Sequence, residues 1–157
     1  MPTRIRIKDK SQQGQLIKTG IFKSNIRKTE PHKHNDYFEI IYLSKGSGSH
    51  TIDHKRYAIK APVIFFVRKE QVHHWDLKTM PKGYVLLLKR GFLDKSVDRE
   101  LKILLSKVSS LSCLQTKDSR TLELLFETLT RVNNFTVEEG LLKALLATIL
   151  ENARPFM

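Results

Sequence analysis

Three histidines and one glutamate are the residues of this chain best suited to chemistry. His32 and His34 stand two apart, Glu39 follows, and His73 comes from a later segment. Imidazole nitrogens and a carboxylate oxygen are donors that zinc, nickel and iron(II) accept. The same groups can hydrogen-bond a polar ligand, because a neutral imidazole donates through one nitrogen and accepts through the other. His32 and His34 share a face if their segment is extended. Strict alternation puts Glu39 on the face opposite His34, so a bend or bulge must lie between them if they are to meet. Trp75 either lines a pocket with its flat ring or is ordinary packing. Tyr42 is counted with it among the ligand-binding candidates, although aromatic residues at such positions more often belong to a core. His50 and His74 are expected at the surface. Cys113, the single cysteine, stands in a polar stretch with no base beside it and is expected to be inert.

Short strands followed by helices must position these groups. Apolar and β-branched residues begin at Leu16 and run to about Arg27, where Pro31 then interrupts. Strand candidates follow at 37–43, 49–53, 56–60, 62–67, 72–77 and 84–89, with the second and third forming a hairpin that turns at Asp53-His54-Lys55. Gly46, Gly48 and Gly83 mark turns. Many short strands closely punctuated by turns predict a sandwich or barrel. Beyond Gly91 the period changes. Leu101, Leu104, Leu105 and Val108 predict a helix over 98–108, and a polar loop occupies 109–118. Leu122, Leu125, Leu129 and Val132 predict a second helix. A third opens with Thr136 and Glu139, read as a capping box, and carries a wide apolar stripe. Leu142, Leu145, Leu146 and Ile149 of that stripe are candidates for a dimer interface, with burial on the chain's own barrel as the alternative. The last two helices are not read as a DNA-binding helix-turn-helix, since Glu138 and Glu139 occupy the end that would meet phosphate.

The chain has 157 residues, enough for one compact unit with a sizeable core. One cysteine excludes an intrachain disulfide and gives no sign of an oxidising compartment. The N-terminus lacks the apolar core of a secretory signal, and no stretch approaches the ~20 apolar residues of a membrane span. A cytoplasmic location without membrane contact is expected. The net charge of +12 lies wholly in residues 1–91, which hold 19 Lys and Arg against 7 Asp and Glu. That field suits an acidic ligand or nucleic acid, but the basic residues are scattered as on a solvated face.

The order and spacing of these residues resemble a known family. His32-x-His34, Glu39 and Gly46 are similar to the first motif of the cupin superfamily. Over residues 30–91 the chain resembles the N-terminal domain of AraC-family transcription regulators. The shared elements are the H-x-H start, the run Tyr37-Phe38-Glu39-Ile40, the turn at Gly46, the Ile52-Asp53 hairpin and His73 after an apolar strand. The resemblance implies a mainly β fold with C-terminal helices: a cupin-like double-stranded β-helix barrel. It divides the chain into a flexible arm at 1–15, a barrel at 16–91 and a helical dimerisation segment at 92–157. It also implies a small effector in the barrel, helped by the N-terminal arm; His32, His34, Glu39, His73, Trp75 and Tyr42 are the candidate ligand-binding residues. A homodimer is implied, as is a DNA-binding domain with two helix-turn-helix units. No such pair lies within these 157 residues, so a truncated portion of a longer regulator is expected, touching DNA only through the missing part. No catalytic residue and no cofactor are expected. The alternative is a metal-dependent cupin dioxygenase or isomerase with a divalent transition ion on His32, His34, Glu39 and His73. The second cupin motif departs from the family, because Val67-Arg68-Lys69-Glu70-Gln71-Val72 replaces its proline-glycine approach to the last histidine.

Overall fold

The computed structural model describes residues 5–7, 15–34, 36–117 and 120–153. The strands are β1 (Arg6–Ile7), β2 (Ile17–Ile21), β3 (His32–Lys33), β4 (Tyr37–Lys45), β5 (Gly48–Ile52), β6 (Lys55–Ala58), β7 (Val63–Val67), β8 (Val72–Leu77), β9 (Lys82–Lys89) and β10 (Cys113–Gln115). The helices are α1 (Arg90–Lys95), α2 (Arg99–Val108), α3 (Arg120–Leu129) and α4 (Phe135–Ala153). Two five-stranded sheets form, ordered β1-β3-β8-β5-β6 and β10-β7-β4-β9-β2. Their pairs are antiparallel except β1 with β3. The fold is the mainly β, cupin-like arrangement with C-terminal helices that the family resemblance implies. Of the predicted arm, residues 1–4 and 8–14 lie outside the described residues, while Arg6 and Ile7 pair with His32 and Lys33.

Alternation along β4 divides the interior into two cores. Ile41 and Leu43 point between the sheets, where Val63, Phe65 and Val67 of β7 meet Ile52, Trp75 and Leu77 of the other sheet. Ile40 and Tyr42 point the opposite way, with Ile64, Phe66, Leu86 and Leu88, against the helices. A sheet covered on both faces needs apolar residues at every position, which is why all five residues of β7 are buried. The β5–β6 hairpin turns in two residues, Asp53 (φ 47°) and His54 (φ 70°), the left-handed pair that suits the strand twist.

Several expectations are corrected here. Leu142, Leu145, Leu146 and Ile149 are each fully buried in the chain's own core, among Tyr42, Leu105, Phe126 and other residues, which is the alternative to a subunit interface. Tyr42 stacks on Phe126 with ring centroids 5.5 Å apart, on the helix side of β4 and away from Glu39. α4 opens one residue earlier than predicted. The Asn134 side-chain oxygen, not Thr136, accepts the early backbone N–H, from Val137 at 3.1 Å. Glu139 instead accepts the Ser96 hydroxyl. The 109–118 loop contains β10, which pairs with β7 and half-buries Cys113. Gly83 is no turn: it lies within β9, where a Cβ would collide with the Tyr42 carbonyl oxygen.

Candidate functional site

β3 ends after Lys33, and β4 begins at Tyr37. This break supplies the bend that the parity of His34 and Glu39 requires. The His34 carbonyl accepts the backbone N–H of Glu70 at 2.7 Å, which ties the break to the β7–β8 connection. Glu70 adopts φ 72°, a left-handed conformation unusual for a residue with a side chain. The turn therefore delivers His73 to the barrel without the family's glycine. β3 and β8 then pair His32 directly with His73.

The result is a buried cluster. His34 Nε2 lies 3.0 Å from Glu39 Oε2 and 3.1 Å from His73 Nε2, and the carboxylate is 3.8 Å from His73 Nε2. His32, His34 and His73 each offer a donor atom, and these all lie within 4.8 Å of one another. Donors held ~2.1 Å from a zinc ion at tetrahedral angles stand roughly 3.4 Å apart, so His34 and His73 are close to the needed spacing and the widest pair would have to close in around an ion. The remaining ring nitrogens are held from behind. His32 Nδ1 bonds the Glu30 carbonyl, His34 Nδ1 the Tyr37 hydroxyl and His73 Nδ1 the Nε2 of His50, each at 2.8 Å. Such outer partners fix ring orientation in metal sites. Burial pushes His73 down to about 2, against the opposing pull of Glu39 and with help from His50, His32 and His34. Burial, then the charges of His74 and His32, likewise holds His50 well below the ordinary value. Both rings are neutral at physiological pH, the form that ligates metals.

A cavity of about 590 Å³ reaches this cluster from one side, within the size range of small-molecule sites. Phe22, Ile26, Trp75, Val85 and Leu87 form apolar walls, His32 and Glu39 are polar lining groups, and Lys18, Lys23 and Asn25 also line it. Phe22 meets the Trp75 ring edge-on at 5.2 Å. The structure thus gathers His32, His34, Glu39 and His73, sets Trp75 in the cavity wall and leaves Tyr42 outside. His50 is a correction: it is fully buried, and His74 is half-buried. Its parity with the inward-facing Ile52 on β5 was the available signal. Tyr37, Phe22 and the two lysines were also missed. Burial pushes the Cys113 thiol up to about 11, which agrees with its expected inertness.

No curated protein matches the sequence. An apo variant of ToxT from Vibrio cholerae superposes with a TM-score of 0.58 at 14% identity, covering 93% of this chain and 59% of that one. A second ToxT structure gives 0.50 at 9% identity, covering 87% and 57%. A predicted oxalate decarboxylase from Thermotoga maritima gives 0.36 at 25% identity, covering 40% and 56%. The chain therefore spans less than three fifths of the length of each of these proteins. No helix among the described residues is long and apolar enough to cross a membrane. The model of the AraC-like ligand-binding domain matches residues 20–150, and the chain belongs to that family.

Proposed function

We propose that this chain is the effector-sensing and dimerisation part of a cytoplasmic transcription regulator that reaches DNA through a separate helix-turn-helix domain. The observation that carries the reading is the cavity, apolar along its walls and polar at His32 and Glu39, in a chain of the ligand-binding family. Lys18 and Lys23 among its lining residues favour an acidic effector with an apolar body. The effector acts by binding one arrangement of barrel and helices better than another, which shifts their populations by that difference in affinity. A homodimer would cover exposed apolar residues of the helical layer, Ile103 and Leu124, rather than the buried leucines.

Native mass spectrometry of the purified chain tests this. A dimer carrying a small organic molecule is the expected result. A monomer that neither retains nor takes up any small molecule refutes the reading. The histidine cluster favours a second reading, a metal-dependent cupin enzyme with an ion on His32, His34, Glu39 and His73. One transition ion per chain together with turnover of a substrate would establish it.

A further inference from the structure

His50 takes no part in the cavity lining, yet it is as enclosed as any residue of the barrel. Its ring lies parallel to Trp75 with centroids 3.6 Å apart and edge-on to Phe65 at 4.7 Å. Nε2 is 2.8 Å from His73 Nδ1. Nδ1 has no hydrogen-bond partner among the described residues. Phenylalanine or leucine could fill such an aromatic slot without burying a partnerless Nδ1, so packing alone does not account for a histidine here.

Counting donors assigns the hydrogens. The Glu39 carboxylate lies 3.0 Å from His34 Nε2, where a ring lone pair would face negative charge, so the hydrogen of His34 sits on Nε2 and His34 Nδ1 accepts from the Tyr37 hydroxyl. His73 Nε2, 3.1 Å from that same His34 N–H, is then a lone pair. The hydrogen of His73 therefore sits on Nδ1 and donates to His50 Nε2. The hydrogen of His50 is left on its partnerless Nδ1.

We propose that His50 is a positioning residue for a divalent transition ion: by accepting the Nδ1–H of His73, it keeps Nε2 of His73 as a lone pair facing Glu39 and His34. The proposal rests on the metal reading of the cluster. In the test, the 157-residue chain is stripped with chelator and titrated calorimetrically with zinc chloride, beside His50→Phe and His50→Gln. Loss of an outer partner typically weakens binding by roughly 10- to 100-fold, which is expected for His50→Phe. The metal-free thermal midpoint of that variant should stay near the wild-type value, because removing the partnerless Nδ1 of His50 offsets the loss of an acceptor for Nδ1 of His73. His50→Gln, whose amide oxygen can accept from His73, should recover most of the affinity. Nitrogen-15 NMR of the metal-free wild type reads the tautomer without any substitution, and hydrogen on His73 Nδ1 is expected. Hydrogen on Nε2, wild-type zinc affinity in His50→Phe, or no rescue by His50→Gln overturns the role of His50 alone. Failure of the wild type to take up zinc overturns the metal reading, and this proposal with it.

Discussion

Acid should unfold the metal-free protein through two buried rings. His50 and His73 resist protonation in the folded chain, and both take a proton at the ordinary value of 6.5 once unfolded. Below that value the unfolded state binds two protons that the folded state refuses, so stability present at higher pH is lost as pH falls through 6.5. Moving from pH 7.5 to 5.5 costs about 1.4 kcal/mol for each ring, or about 2.7 kcal/mol together. Domains are typically stable by about 5–15 kcal/mol, so this is a large share. Urea unfolding at both pH values in the presence of chelator measures it, with an unchanged slope as the sign that the two-state comparison holds. His50→Phe should retain only about half of the loss, since one ring of the pair remains. Stability that is flat or rising between pH 7.5 and 5.5 would refute the placement of neutral histidines in the barrel.

Two further outcomes follow from the packing and the cavity. Leu146→Ala should destabilise by about 2–5 kcal/mol, as for any fully buried leucine, with the midpoint depending on protein concentration just as in the wild type. A midpoint that rises with concentration only in the wild type would return this residue to a subunit interface. Replacing both Lys18 and Lys23 with Gln should weaken an acidic effector by roughly tenfold or more, in keeping with loss of charge-assisted bonds of about 1.5–3 kcal/mol each. Unchanged affinity by calorimetry would place the effector's charge elsewhere.

Motif spacing foresaw the four cluster residues because each type is rare and chemically constrained. It also foresaw the strand-then-helix order, because period two and period 3.6 leave different marks on a sequence. Three things escaped it for physical reasons. The leucines of α4 look the same whether they meet a neighbouring helix or a second chain, since burial in either place asks only for an apolar surface. His50 was judged by residue type although its parity with Ile52 faces it inward, and the register of β5 against β8 sets it beside Trp75. Tyr42 was counted with the ligand contacts, although its odd separation from Glu39 along one strand sends the two side chains to opposite faces.

The two-faced packing of β4 makes this strand a partition one residue thick. Glu39 and Tyr42 are three positions apart, yet one belongs to the cluster and the other to the helical core. Sliding the strand by a single residue would exchange the two compartments, sending a carboxylate among leucines and tyrosine toward the histidines. An insertion or deletion of one residue within 39–43 therefore scrambles both sides at once, whereas a two-residue change preserves the assignment of faces. For a sensor, the same thinness is useful: a ligand leaning on Val85 or Leu87 presses on a β9 strand whose alternate side chains, Leu86 and Leu88, already carry the helices.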